Sequence, residues 1–437
     1  MTFTDVLVVG AGLAGIRTVH CLRDAGHTGS ITLLNGENTP PYDRPPLSKD
    51  LLTHPEAVLL DEDLALNTPA AATTIAHNTR ALTLTAIPVH PQATAHHPPP
   101  HPEPRWQVTT TGGECWDAHH VVLATGASAI TPPAWESVAT LRTLDDAARL
   151  RAALTTPAHV AIIGGGWIGI ELAAHLHAHG HTITIYEAAP TLLAAQLGAE
   201  HGARISTLLP NVTIHTSTVI TNVTHDHDRT RVTAQPPHGP SWQASYDVVV
   251  AALGATPHTE LLTTLPEVAP LQPGSPIPAN NDGQVTINGQ VLPGLHAVGD
   301  CATWADPHWG AITPGHWMTA LTAPTLVAAA IIASDNNEQP APIPRPAPHT
   351  FSRIGPHHID VFGVPHQDHT TTTRVYSATS WVTFYHTDDA LLTAVLIVNS
   401  PRDTAGARKL LAHGPTHVNS ASLTDTTVPL KTLRTHP

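Results

Sequence analysis

Two stretches of the chain place glycines where a backbone can close on a diphosphate: Val6-Leu-Val-Val-Gly10-Ala-Gly12-Leu-Ala-Gly15 and Val160-Ala-Ile-Ile-Gly164-Gly-Gly166-Trp-Ile-Gly169. In Gly-x-Gly-x-x-Gly the first glycine permits a tight turn, the second lets the backbone approach the anion, and the third lets helix and strand pack closely. The anion then rests on the positive end of the helix. A carboxylate about 20 residues further on, at the end of the next strand, accepts from a ribose hydroxyl. The chain meets that spacing twice, with Glu37 lying 22 residues after Gly15 and Glu187 lying 18 after Gly169.

The elements that must hold these residues repeat one plan. Each motif follows an apolar run and leads into a helical pattern, through Ala25 in the first copy and Ala178 in the second. Breaks follow at Gly26 and Gly180, then the runs Ile31–Leu34 and Thr182–Tyr186. Strand-like runs alternating with helical patterns predict an α/β fold with a parallel sheet in each of two Rossmann-like dinucleotide-binding domains. The expected division is a discontinuous first domain over 1–130 and 257–335, a second over 131–256, and a C-terminal α+β domain over 345–437. The Pro-rich stretch Gln339–Pro348 reads as the linker before that last domain, whose strand-like runs are Trp381–Tyr385 and Leu392–Val398. Pro88–Pro104 and the polar stretch Asp226–Pro240 read as loops, the former because proline has no donor for a sheet ladder.

Composition narrows the function classes. At 437 residues the chain has room for two to four domains of about 100–200 residues each. Its formal net charge of −14 argues against nucleic acid or an anionic membrane surface as partner. Lysine is scarce, only Lys49, Lys409 and Lys431, beside 33 histidines. Cys21, Cys115 and Cys301 lie far apart with no Cys-x-x-Cys, so neither a disulfide scaffold nor a zinc ribbon is indicated. The start Met1-Thr-Phe-Thr-Asp5 carries no basic region and leads straight into a strand-like run, which reads as cytoplasmic. No run reaches the roughly 18 apolar residues of a spanning helix; Leu321–Ala333 is shorter and contains Pro324. No metal is expected: His175, His177, His179 and His181 step by two, with His177/His181 taken as the pair sharing a helix face, and His225-Asp-His227-Asp228 has no cysteine partners.

Two dinucleotide sites in one chain, without a Walker-type Gly-Lys-Ser/Thr, imply a pair of electron-transferring cofactors, FAD and NAD(P)H. Further segments carry a more specific likeness: Pro41-Tyr-Asp-Arg44-Pro-Pro-Leu-Ser48-Lys49, Val121-Val-Leu-Ala-Thr125-Gly126, Leu295-His-Ala-Val-Gly299-Asp300-Cys301, Val398-Asn-Ser-Pro-Arg402 and Val428-Pro-Leu-Lys431. With them the chain resembles, over nearly its whole length, the FAD-dependent NAD(P)H:ferredoxin reductases related to putidaredoxin and rhodocoxin reductase. These belong to the pyridine nucleotide-disulfide oxidoreductase superfamily. The resemblance implies that Gly10, Gly12, Gly15 and Glu37 hold FAD, that Asp300 beside Gly299 accepts from its ribityl chain, and that Arg44, Lys49, Thr125, Gly126 and Trp317 contact it. It implies NAD(H) on Gly164, Gly166, Gly169 and Glu187, and counts Ala81 and Gly254 among the cofactor contacts. Lys49, near the flavin N5 and paired with Glu171, is the implied catalytic pair, serving hydride transfer that needs its reacting atoms about 3–3.5 Å apart.

The chain departs from that family's pattern in places. The arginine after Ala-Thr-Gly is replaced within Ala127-Ser-Ala-Ile130, an acidic residue ahead of Glu37 by Gly36, another before His316-Trp317 by Gly315, and Ser-Asp-Gln-Tyr by Ser352-Arg-Ile-Gly355. The flavin's surroundings are therefore expected to differ from the family's norm. The redox-active Cys-x4-Cys of disulfide reductases is absent; Cys21 reads as a core residue, and thiol exchange is not expected.

The expected function is electron transfer from NADH through FAD to a ferredoxin-type iron–sulfur protein serving a cytochrome P450 or other oxygenase, as monomer or homodimer, without nucleic acid or membrane. Two other readings stand beside it: a flavin-dependent oxidase or oxidoreductase using oxygen or a small organic substrate, and an NADH-binding redox sensor. A basic face for an acidic carrier would have to come from Arg374, Arg402, Arg408, Lys409, Lys431 and Arg434. Glu187 predicts preference for NADH, because a 2′-phosphate would face its carboxylate and no arginine follows in Glu187-Ala-Ala-Pro-Thr191. Neutralising Glu187 together with Thr191→Arg is expected to raise relative use of NADPH; equal use of both cofactors by the unaltered protein contradicts the argument.

Overall fold

The structure is a computed structural model and describes residues 2–87, 105–135, 138–265, 271–272 and 274–435. The stretch Pro88–Pro104, expected as a loop, lies outside the described residues. Contacts divide the chain into two compact units. One is built from Met1–Asp43, Val58–Ser128 and Thr256–Arg345, the other from Arg44–Ala57, Ala129–Ala255 and Pro346–Pro437.

In the first unit, Gln290–Ala297, Cys115–Leu123, Thr2–Val9, Ile31–Leu34 and Thr74–Ala76 lie side by side as the parallel centre of a larger sheet. Val6, Leu7 and Val8 have no exposed surface. That is why the run is continuously apolar rather than alternating: such a strand is covered on both faces. The covering helices Leu13–Asp24 and Trp317–Asp335 pack against each other, and Cys21 is buried there with its Sγ 3.4 Å from Thr325 Oγ1. Trp317–Asp335 runs beyond the apolar stretch read from sequence, because the buried Pro324 sits inside it without ending it. Among the described residues this helix is long and apolar enough, by length and composition, to cross a membrane; half of its apolar window is buried inside the protein.

In the second unit, Thr213–His215, Thr182–Tyr186, His159–Ile163 and Val248–Ala251 form a parallel sheet in that order. An antiparallel sheet of Val219–Asp226, Arg229–Gln235 and Trp242–Tyr246 shares a core with it, through Ile163, Tyr186, Val223, Val232 and Val249. Arg229–Gln235 corrects the loop expected over Asp226–Pro240. Thr230, Val232 and Ala234 are buried in alternation, a period of two that the charged outer face disguised.

The same unit includes an antiparallel sheet ordered His349–Ile354, His357–Gly363, Leu391–Val398, Ser380–His386, Thr370–Ser377, followed by the helix Pro401–Leu410. The fold is thus α/β with two glycine-turn parallel sheets, and α+β at its C-terminal end. Arg374 does not belong to an exposed basic face. It is 1% exposed and its guanidinium donates to the carbonyls of Ser422, Leu423 and Val428 at 3.0, 2.8 and 2.8 Å. Arg402, Arg408, Lys409 and Lys431 are exposed.

Candidate functional site

The first glycine turn is shaped by collisions that only glycine avoids. Gly10 has φ +109°, and a Cβ there would lie 2.2 Å from the Ala124 carbonyl oxygen; a Cβ at Gly15 would lie 1.9 Å from the Gly10 carbonyl oxygen. Gly12 differs: its φ is −73° and nothing lies within 4 Å of the Cβ position. No side chain caps the helix that starts there and no acidic residue sits in its first turn. The open space at Gly12, in front of uncapped N–H groups, fits a diphosphate.

Other expected residues of this unit are held by contacts of their own, some of them beside that turn. Thr125 follows Ala124, its hydroxyl donates to the His258 carbonyl at 2.6 Å, and the His258 N–H donates to the Gly126 carbonyl at 2.9 Å. Gly299 has φ +74° and its missing Cβ would meet the Ala14 Cβ at 2.9 Å, so Asp300 is delivered to the first turn of the helix Leu13–Asp24. Asp300 Oδ1 accepts from the Gly315 N–H at 3.1 Å. The Trp317 indole N–H donates to Asp43 Oδ1 at 2.8 Å. Ala81 opens the strand Ala81–Ala86, directly after Arg80, which packs on Gly36. Glu37 Oε2 accepts from the Tyr42 hydroxyl at 2.9 Å.

The second turn repeats the geometry in the other unit. Gly164 has φ +112° with a would-be Cβ 2.3 Å from the Ala252 carbonyl oxygen, that of Gly169 would lie 2.1 Å from the Gly164 carbonyl oxygen, and Gly166 faces open space. Ala252-Leu-Gly254 therefore does here what Ala124-Thr-Gly126 does in the first unit. Gly254 has φ +99° and accepts from the Ile130 N–H at 3.0 Å. Sequence reasoning overlooked Ala124 and Ala252 as the surfaces on which the glycines rest, although Val-Val-Leu-Ala-Thr-Gly and Val-Val-Ala-Ala-Leu-Gly are visibly alike.

The two strand-end positions differ. Gly10 N–H bonds to the Leu34 carbonyl and Gly164 N–H to the Tyr186 carbonyl, so the positional counterpart of Glu187 is Asn35, and Glu37 comes two residues later. Glu187 accepts from the N–H groups of Gly165 and Ala189, both at 2.6 Å. These bonds fix the carboxylate against the glycine turn and leave lone pairs for a ribose. Thr191 is a poor place for the arginine considered above. Its Oγ1 is buried, and a Cβ on Gly202 would lie 2.6 Å from it. Ala188, next to Glu187, is exposed.

Lys49 and Glu171 are brought together in the second unit. Lys49 Nζ lies 2.9 Å from Glu171 Oε1 and 3.0 Å from Oε2. Glu171 is 3% exposed, and a carboxylate that deep needs every acceptor site it can fill. An ionised carboxylate only accepts, so the hydroxyls of Ser48, to Oε2, and Ser352, to Oε1, donate to it, each at 2.6 Å. Arg44 donates to the Arg142 carbonyl at 2.6 Å. Sequence reasoning missed the hydroxyl of Ser352, whose partner lies 181 residues away.

The histidine reading needs correcting. His175 and His179, not His177 and His181, pair along the helix Trp167–Ala178 and its cap, with ring centroids 4.4 Å apart. His175 Nε2 accepts from the Leu52 N–H at 3.0 Å, consistent with burial and the His179 ring pushing its pKa down to about 4. Among the described residues no group of three or more His, Cys, Asp or Glu side chains is arranged to hold a metal ion.

The two kinds of glycine separate folding from binding. Gly15→Ala is expected to lower Tm by about 4 °C or more, because a methyl cannot occupy a carbonyl's position. Gly12→Ala is expected to leave the Tm of the nucleotide-free protein unchanged while abolishing nucleotide binding at that turn. Calorimetry together with a nucleotide-release assay checks both, and equal effects of the two substitutions would contradict this geometry.

The chain is similar to several known proteins along most of its length. A rubredoxin–NAD(+) reductase of Pseudomonas putida is 28% identical over 350 residues, spanning 78% of this chain and 82% of the relative. The ferredoxin reductase component of a chlorobenzene dioxygenase from Cupriavidus sp. (strain PS12) is 27% identical over 424 residues, 93% of this chain and 92% of the relative. The crystal structure of a covalent putidaredoxin reductase–putidaredoxin complex superposes with TM-score 0.79 at 26% identity, covering 98% of each chain. A reductase C-terminal family model matches residues 352–434. The pyridine nucleotide-disulphide oxidoreductase model matches residues 4–325, and with both glycine turns inside that span the chain belongs to the pyridine nucleotide-disulphide oxidoreductase family.

Proposed function

We propose that this protein is an FAD-dependent NADH oxidoreductase that passes electrons singly to a small ferredoxin-type iron–sulfur protein, which serves an oxygenase. The observation that carries this reading is the pair of uncapped glycine turns, one per unit, each with open space at its middle glycine. Two dinucleotides held by one chain, with no Cys-x4-Cys after the first helix to relay electrons as thiols, favour a carrier that takes electrons directly. Relatives named for rubredoxin, ferredoxin and putidaredoxin support the same class of acceptor.

In this reading Gly10, Gly12 and Gly15 hold the FAD diphosphate, with Asp300, Thr125 and Gly126 beside it, and Glu37, Ala81, Arg44 and Trp317 as further contacts. A bound flavin would supply the conversion of a two-electron hydride into single electrons. Gly164, Gly166 and Gly169 receive the diphosphate of NADH, and Glu187, already turned toward the loop by Gly165, accepts from the ribose hydroxyls, with Gly254 lining the same turn. Lys49 would present a positive charge and a hydrogen-bond donor to a bound flavin, and Glu171 keeps that ammonium in one place. Both groups remain in the protein throughout and are not consumed.

Glu187→Gln with Ala188→Arg is expected to raise the ratio of NADPH to NADH efficiency about tenfold, since one like-charge contact is removed and one charge-assisted bond added. Steady-state kinetics with both cofactors reads this. An unaltered ratio in the double variant contradicts the role of Glu187. For the overall function, anaerobic NADH is expected to bleach the flavin absorbance, and cytochrome c reduction is expected only after a ferredoxin is added. Oxygen uptake at the same rate without any carrier would point instead to an oxidase.

A further inference from the structure

The strand His349–Ile354 lies at the edge of the C-terminal sheet, and three successive residues of it reach Lys49, its neighbour Asp50 or its partner Glu171. The Arg353 guanidinium donates to the Lys49 carbonyl at 2.9 Å and pairs with the Asp50 carboxylate. The Phe351 ring centroid is 5.6 Å from Lys49 Nζ. Ser352, between them, donates to Glu171 Oε1. Neighbouring side chains on a strand point to opposite faces; Phe351 and Arg353 reach the Lys49 segment while Ser352 reaches Glu171 on the helix Trp167–Ala178, against which this strand packs.

We propose that Ser352 is a positioning residue for the Lys49–Glu171 pair, which makes the C-terminal α+β region a working part of the redox site. The role of the pair in electron transfer rests on the function proposed above; the positioning does not. A glutamate's last torsion is broad and roughly two-fold, so a lone ion pair would leave the carboxylate free to turn. Here one hydroxyl donates to each oxygen, from Ser48 on one side and Ser352 on the other, while the ammonium bridges both. Remove the Ser352 hydroxyl and Oε1 keeps only the lysine. The carboxylate can then rotate, and Lys49 Nζ loses its fixed position.

The scarcity of lysine makes this measurable. Lys49, Lys409 and Lys431 are the only lysines, so amine acylation followed by mass spectrometry reports on Lys49 with two internal controls. In Ser352→Ala we expect Lys49 to acylate about threefold faster, as local opening becomes more frequent, with Lys409 and Lys431 unchanged. Flavin reduction by NADH is expected to slow about tenfold, the effect of one charge-assisted hydrogen bond, at unchanged KM for NADH. Ser352→Thr, which keeps the hydroxyl, is expected to restore both. Lys49 acylation within twofold of the unaltered protein, equal acceleration of all three lysines, or failure of threonine to rescue overturns the proposal. If NADH does not reduce the flavin of the unaltered protein, the proposed function fails, and the acylation ratio still decides the positioning.

Discussion

A carbonyl oxygen and a methyl group cannot share one position, and both units of this protein are built around that exclusion. At Gly10 and Gly164 the backbone runs where a side chain's first carbon would touch the carbonyl of Ala124 or Ala252; at Gly15 and Gly169 the carbonyl of the turn itself fills the place. The helix can therefore start close enough to the sheet for its uncapped N–H groups to face the space at Gly12 or Gly166. Everything else in each site is arranged around that start. Ala124-Thr125-Gly126 and Ala252-Leu253-Gly254 are the floors on which the turns rest, and Gly299 brings Asp300 alongside the first of them.

The two sites are copies in backbone and not in charge. At the strand-end position the second turn has Glu187, held by two backbone N–H groups, and the first has Asn35 with Glu37 two residues beyond. Such a difference suits two nucleotides that must not exchange places. The second unit also buries a carboxylate, Glu171, whose oxygens need hydrogen-bond partners there. Its partners come from two stretches of chain far from its own helix: Ser48 and Lys49, and Ser352. An ion pair gathered in this way has little freedom.

Much of this was legible in the sequence because it is written in local signals. The apolar runs, the glycines at fixed spacing and the strand-end carboxylate all lie within about 30 residues of one another, the reach of a single strand–turn–helix–strand unit. The likeness of Pro41–Lys49 to a known family supplied the pairing of Lys49 with Glu171, which spacing alone does not contain. What stayed hidden was either masked by surface chemistry or set by long-range packing. Arg229–Gln235 looked like a loop because its outward residues are charged or polar. Arg374 looked like a surface charge, since nothing local shows that Ser422–Val428 folds over it. Ser352 opens a segment whose next three residues depart from a motif, and its hydroxyl acquires meaning only beside Glu171.

The most direct test of two non-interchangeable dinucleotide sites is to count nucleotides. One FAD per chain should be released on heat denaturation, and NAD+ titrated into the flavin-bound protein should bind at one further site per chain without displacing it. Displacement of the flavin by NAD+, or the absence of a second binding event, would contradict the assignment of one nucleotide to each turn.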